Sequence, residues 1–257
     1  MGILEGKNIL VTGLTMNTSI AYAVADIAQR EGANVVVSSA GRAVSLARRV
    51  AGRLNPVPPV IELDVTDAAH LEALPGVLAE YFTGGLDGVV HSIAYANPET
   101  ALGGKFLETG WDDVAQSLHV SAYSLKSLTM AVKPLLNRGA GIVGLTFDAT
   151  VAWPTYDWMG VSKAALESTS RYLARYLGPE GIRSNIVAAG PIDSVAKKAI
   201  PGANTFNDIW AARAPLGWDA SDGTATARAV VALLSDWFPA TTGEIVHVDG
   251  GLHATGA

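Results

Sequence analysis

The sequence predicts an α/β fold, a doubly wound parallel sheet of seven strands, and three observations predict it. Short β-branched runs alternate with helix-length amphipathic stretches along the chain. The runs are apolar nearly throughout, the signature of strands covered on both faces. No linker, repeat or shift in composition interrupts the alternation, so the 257 residues read as a single domain spanning 1–257. Alternation of this kind builds a parallel sheet with right-handed crossovers and helices on both sides.

In order, the candidate strands are residues 8–12, 34–39, 60–64, 88–91, 141–147, 183–189 and 244–248. Between the first two, Ile20, Val24, Ile27 and Ala28 share one face of a helix that stops near Gly32. Residues 194–218, with Pro201, Gly202 and Pro215, break the rhythm between the sixth strand and the last helix. They are expected to form a long functional loop.

Composition narrows the function classes. With 49% hydrophobic residues the chain buries a substantial core, and a formal net charge of −6 with dispersed basic residues argues against a nucleic-acid partner. No apolar run reaches membrane-span length, so no membrane partner is expected. Glu5, Gly6 and Lys7 interrupt any signal-peptide pattern. The absence of cysteine removes disulfide and thiolate chemistry and fits a cytoplasmic protein. His70, His247 and His253 show no ligand-like spacing, so no metal site is expected.

The first strand runs into Gly13-Leu14-Thr15-Met16-Asn17-Thr18-Ser19-Ile20-Ala21. A helix start presents unpaired amides and the positive end of its dipole, which suit a pyrophosphate. Gly13 makes the tight turn, Ser19 caps the helix, and small Ala21 permits close packing on the strand. The middle glycine of the dinucleotide fingerprint is missing, so a plain βα turn explains this segment equally well by itself. Ser38-Ser39-Ala40-Gly41-Arg42 closes the second strand without an acid for the ribose of NAD. Arg42 either accepts a 2′-phosphate or begins the next helix on the surface, and the choice between NADH and NADPH stays open on these residues. Asp64 either accepts from the adenine amino group or caps a helix starting near Ala68. Ser92, Ile93 and Ala94 follow the fourth strand at the same edge, where small residues let a ribose approach the backbone.

Tyr156 and Lys163 stand seven positions apart at the head of a helical stretch after the fifth strand. That spacing gives them one face and an axial separation of roughly 10 Å. A phenol at the helix mouth can donate to a carbonyl that gains negative charge. A lysine leaning back toward it can grip a ribose and lower the phenol's pKa. Together with the first turn, the pair points to a nicotinamide-dependent reductase. Three readings remain open on the residues: enoyl reduction, carbonyl reduction, and a catalytically silent NAD(P) sensor.

Six further segments stand in register with these: His91-Ser92-Ile93, Asp148 after Phe147, Tyr156-Asp157-Trp158-Met159, Arg183-Ser184-Asn185, Ala189-Gly190-Pro191-Ile192 and Ala240-Thr241-Thr242-Gly243. With Tyr-X6-Lys and Gly-X5-Ser-Ile-Ala, they resemble the enoyl-acyl-carrier-protein reductases over residues 6–251, most of all the mycobacterial members. That family is a divergent branch of the short-chain dehydrogenase/reductases, whose commoner members place three residues between Tyr and Lys.

The resemblance implies a Rossmann fold and reduction of the C=C bond of a trans-2-enoyl thioester on acyl-carrier protein or coenzyme A. NADH is favoured over NADPH, and a homotetramer is implied. It assigns Tyr156 to the thioester carbonyl and Lys163 to the nicotinamide ribose, and it puts Phe147 beside the transferring hydride, where ordinary core packing at a strand end explains that residue equally well. Gly13, Ser19, Ile20, Asp64, Val65, Ser92, Ile93, Ala94, Ile192 and Ser194 match cofactor-contacting positions, with Pro191 and Ile192 holding the carboxamide through the backbone. Phe147, Tyr156 and Met159 would line the substrate site, and Trp210, Trp218 and Trp237 either wall an acyl crevice or lie at a subunit interface. The sequence departs from the family at Ala40, where a bulky residue would flank the adenine, and at Ala94, where glycine is usual. Residues 194–218 are shorter than in the mycobacterial long-chain enzyme, which implies shorter or differently shaped acyl chains.

Overall fold

The computed structural model describes residues 2–256. Strands β1 (Asn8–Val11), β2 (Asn34–Ser39), β3 (Val60–Glu62), β4 (Leu86–His91), β5 (Leu136–Thr146), β6 (Arg183–Ala189) and β7 (Ile245–Val248) form one sheet in the order β3-β2-β1-β4-β5-β6-β7. Every pairing is parallel. The helices are α1 (Ile20–Arg30), α2 (Ala43–Ala51), α3 (Ala68–Ala79), α4 (Trp111–Leu118), α5 (Ser124–Val132), α6 (Asp157–Leu177), α7 (Val195–Lys198), α8 (Asn204–Arg213) and α9 (Thr224–Leu234). Among the described residues no helix is long and apolar enough to cross a membrane.

Alternation along β1 divides the core. Ile9 and Val11 face α1, α2 and α9, whereas Leu10 faces α3 and α5 on the other side of the sheet. Further along, Ile142 and Ile186 meet Leu166, Leu173 and Leu177 of α6. Each such aliphatic side chain contributes about 1.5–3 kcal/mol when fully buried. The chain reverses winding between β1 and β4, and the crevice outside those strand ends is where sheets of this type take ligands.

Two expectations change. Strand β5 starts at Leu136, five residues before the expected start, because Asn137 Nδ2 donates to Gly84 O at 2.8 Å and to Asp87 Oδ1 at 2.9 Å. The expected loop over 194–218 carries two helices, α7 and α8. Ser194 caps the first by accepting from Lys197 N at 3.2 Å, and Phe206 and Trp210, one turn apart on the second, bury one face of α8.

Candidate active site

The turn after β1 is fixed by main-chain crowding. Gly13 has φ +80°, and a Cβ there would lie 2.0 Å from Ser92 O. Only glycine lets the turn pass so close to the end of β4. Ser19 then caps α1, accepting from Tyr22 N at 3.2 Å and donating to Met16 O at 2.7 Å. The remaining first-turn amides have no intrahelical acceptor and are the natural seat of a pyrophosphate.

Thr12 Oγ1 accepts from Ser92 N at 3.4 Å, so Ser92, Ile93 and the exposed Ala94 leave β4 beside that turn. Asp64 does not cap α3; Asp67 does, through Ala69 N at 2.8 Å. The Asp64 carboxylate folds onto Thr66, accepting from its amide at 2.8 Å and its hydroxyl at 2.7 Å, which lowers its pKa. Val65 and Ile192 are buried, and Arg42 is exposed at the head of α2. Gly13, Ser19, Ile20, Ser92, Ile93, Ala94, Ile192 and Ser194 thus lie at the strand carboxyl edge, with Asp64 and Val65 just beyond β3. Capped helix, glycine turn and small residues at that edge fit a dinucleotide.

Helix α6 brings the catalytic candidates to this edge. Its inner face repeats through Met159, Ser162, Lys163, Leu166, Glu167 and Ser170, all buried. Hydroxyl pairs Ser117–Ser162 at 2.8 Å and Ser170–Ser184 at 2.9 Å allow close approach of α4 and β6. Lys163 Nζ donates to Leu145 O at 2.9 Å and keeps two further donors. Burial depresses its pKa to about 8, partly offset by the Glu167 carboxylate one turn on. Glu167 itself titrates high because it is buried. Its Oε1 accepts from Thr146 Oγ1 at 3.0 Å and Ala149 N at 3.3 Å, and so fixes the end of β5 around Phe147. Beneath lies His91, fully buried and held at about 3 by that burial and then by the Lys163 charge. Ser124 Oγ spends its hydrogen on Val120 O, so His91 Nε2 donates to Ser124 at 2.6 Å and Nδ1 is the bare nitrogen.

Tyr156 sits in different surroundings. Burial pushes its phenol up, the reverse of the lowering expected from Lys163, so the group stays protonated across the physiological range. Its neighbours Thr155 and Asp157 have φ +62° and +43°, a region that strains a β-branched threonine above all. The connection between β4 and α4 compensates. Gly103 N donates to Thr155 O at 2.9 Å, and Asp157 Oδ2 accepts from Gly104 N at 2.6 Å and Lys105 N at 3.0 Å. Trp158 stacks on Phe106 at 4.9 Å.

Around Tyr156, five rings interlock. Phe147 touches Trp153, Tyr156, Phe206 and Trp210 with centroids 5.1–5.3 Å apart. Trp153 reaches Phe206 at 6.4 Å and Trp210 at 5.1 Å, and Met159 closes the cluster. Trp218 lies beside it, its indole donating to Pro191 O at 2.8 Å, while Trp237 stands exposed.

A model of the family described as "Enoyl-(Acyl carrier protein) reductase" matches residues 13–253. The chain belongs to the enoyl-acyl-carrier-protein reductase family. Among similar proteins are the enoyl-[acyl-carrier-protein] reductases [NADH] of Mycolicibacterium smegmatis, 46% identical, and Mycobacterium avium, 44% identical, each match covering 97% of both chains. The Aquifex aeolicus relative of the same description is 37% identical over 100% of this chain and 94% of its own.

As a member of this family, the chain carries features its sequence concealed. Trp153, Phe206 and Glu167 emerge only from tertiary packing, because Phe206 fell in an expected loop and Glu167 looked like an ordinary helix residue. His247 and His253, whose spacing in the sequence gave no sign of a ligand-like cluster, stack at 3.9 Å. Asp148 lies 3.7 Å from His247 and Asp249 3.0 Å from His253. The turn after β7 explains this, because Asp249 accepts from Gly251 N and His253 N and folds His253 back over the strand. Among the described residues no group of three or more His, Cys, Asp or Glu is placed to hold a metal ion.

Proposed function

We propose that this enoyl-acyl-carrier-protein reductase family member saturates the C=C bond of trans-2-enoyl thioesters carried by acyl-carrier protein or coenzyme A, with NADH preferred to NADPH. The observation that carries the reading is the buried Tyr156 phenol among apolar rings, seven positions before a buried Lys163 at the cofactor edge. NADH, when bound, would supply the hydride for the β-carbon, and a proton taken up at the α-carbon completes the saturation.

The chain's own residues do the rest. Tyr156 donates a hydrogen bond to the thioester carbonyl oxygen, where negative charge builds as the β-carbon is reduced. Its aromatic surroundings exclude water and strengthen that bond. Lys163 offers its two free donors to the nicotinamide ribose, with Glu167 sustaining its charge. The α1 amides, Gly13 and Ser19 receive the pyrophosphate, Asp64 and Val65 flank the adenine, and Ser92, Ile93 and Ala94 flank a ribose. Ile192 would hold the carboxamide and Ser194 a phosphate, while Phe147 and Met159 would line the acyl side.

The reading includes one domain over 1–257, a cytoplasmic address supported by the lack of cysteine, and a homotetramer. Trp111 of α4 with Tyr172 and Tyr176 of α6, 72%, 61% and 68% exposed, support association through these neighbouring helices. Equilibrium sedimentation tests that assembly. The activity is tested by following NADH and NADPH oxidation with octenoyl-coenzyme A in wild type and Tyr156→Phe. Rapid NADH turnover that collapses in the variant is expected. Turnover of ketones alone would assign a carbonyl reductase, and cofactor binding without any turnover a silent sensor.

A further inference from the structure

The five-ring cluster is not uniformly anchored, and its anchoring determines what can enter. Trp153 Nε1 donates to Asp148 O at 2.7 Å, and Trp210 Nε1 donates to Asp249 O at 2.9 Å. Both indoles are therefore tied to main chain at the ends of β5 and β7, and buried indole donors keep their partners. Helix α8 is tied down a second time. Lys197 of α7, itself buried, donates to Asn207 of α8 and pairs with Asp193. Phe206 precedes both of these anchors on its own helix and has no polar group to hold it. It is 2% exposed, with its ring 5.3 Å from Phe147 and 6.3 Å from Tyr156.

Rings at these separations are in van der Waals contact, so no acyl chain passes the Tyr156 phenol while Phe206 stays in place. Of the rings pressed on Phe147 and Tyr156, Phe206 alone can yield by a side-chain rotation. Trp153 and Trp210 would each forfeit an indole hydrogen bond to main chain.

We infer that Phe206 is the displaceable stopper of the acyl crevice and that Trp153 and Trp210 are its fixed end wall, which restricts the enzyme to short trans-2-enoyl thioesters, crotonyl to octenoyl. The space released is that of one phenylalanine side chain. A longer tail would have to break an indole anchor or lift α8 off its Lys197 tie. This inference rests on the enoyl reductase reading and goes beyond it by assigning the substrate class and the residues that set it.

The test is kcat/KM for crotonyl-, octenoyl- and dodecenoyl-coenzyme A in wild type, Phe206→Ala and Trp153→Ala, with NADH binding followed by fluorescence quenching in each. In wild type, dodecenoyl should be at least about tenfold poorer than octenoyl, the scale at which apolar pockets discriminate. Each variant should narrow that gap by about tenfold. A wild type that reduces dodecenoyl as well as octenoyl overturns the inference, as does a Phe206→Ala profile unchanged in length dependence; in both cases the reductase reading stands. NADH binding without reduction of any enoyl thioester overturns the reading itself. If Phe206→Ala fails to bind NADH, Phe206→Leu is read by the same criterion, and the wild-type profile decides independently.

Discussion

The two halves of the site are built from different materials. The cofactor half consists of main chain: a left-handed glycine against a carbonyl, a capped helix end, and small residues after β4. The proposed acyl half consists of side chains, five aromatic rings packed with almost no polar contact beyond two indole donors. Main-chain cradles are fixed by the sheet and cost no side-chain entropy to hold, whereas an aromatic pocket is defined by rotamers and changes with each substitution. One half suits an invariant cofactor, the other a variable acyl chain.

Perturbing each half separately should break this contrast or sharpen it. Tyr156→Phe should lower kcat by about 10²–10⁴-fold, the range for loss of a positioned proton donor. Fluorescence titration should show NADH binding little changed, and an equal loss of affinity would contradict the division. Gly13→Ala should act on the other half. Its Cβ would meet Ser92 O at 2.0 Å, so unfolding should occur with about 2 kcal/mol less stability and NADH affinity should fall with it.

Lys163 belongs to both halves, and pH separates its roles. Its pKa is depressed to about 8, below the ordinary 10.5. The charge proposed to hold the ribose is therefore lost as pH rises through 8, and kcat/KM for NADH should decline there. Glu167→Gln removes the carboxylate that raises that pKa, so the decline should move to lower pH. For folding the sign is opposite. A buried ammonium with a lowered pKa costs stability fully below pH 8, and the cost is relieved between 8 and 10.5. Lys163→Met should accordingly melt at a higher temperature than wild type near neutral pH, yet bind NADH poorly. The smallest effect is expected from Asp157→Ala, which releases the Gly104 and Lys105 amides. It should cost about 1 kcal/mol in thermal melts and depress kcat more than NADH affinity.

The cofactor half was the more legible in the sequence. Gly13, Ser19 and the order of strands carry local backbone signals, and the structure puts them at one edge. Asp64 was legible as a strand-end acid but not in its bond to Thr66, since Asp67 was equally able to cap α3. The acyl half was hidden. Phe206 and Trp210 are one turn apart, yet Pro201, Gly202 and Pro215 around them gave the signal of a loop. Trp153 could not be placed without knowing that Asp148 O waits for its indole. The meeting of His247 and His253 was hidden too, because it depends on a turn after β7 that brings back a side chain six residues on. Long-range packing decides such contacts, and spacing along the chain does not encode them.

The bonds between residues 103–105 and 155–157 also bear on time. They join segments some fifty positions apart, so the strained backbone around Tyr156 has no support until the connection after β4 has docked. Nonlocal closures of this kind form slowly and late. In the native protein, slow amide exchange at Gly103, Gly104 and Lys105 would mark a stretch of surface connection that opens only when the catalytic phenol is released with it.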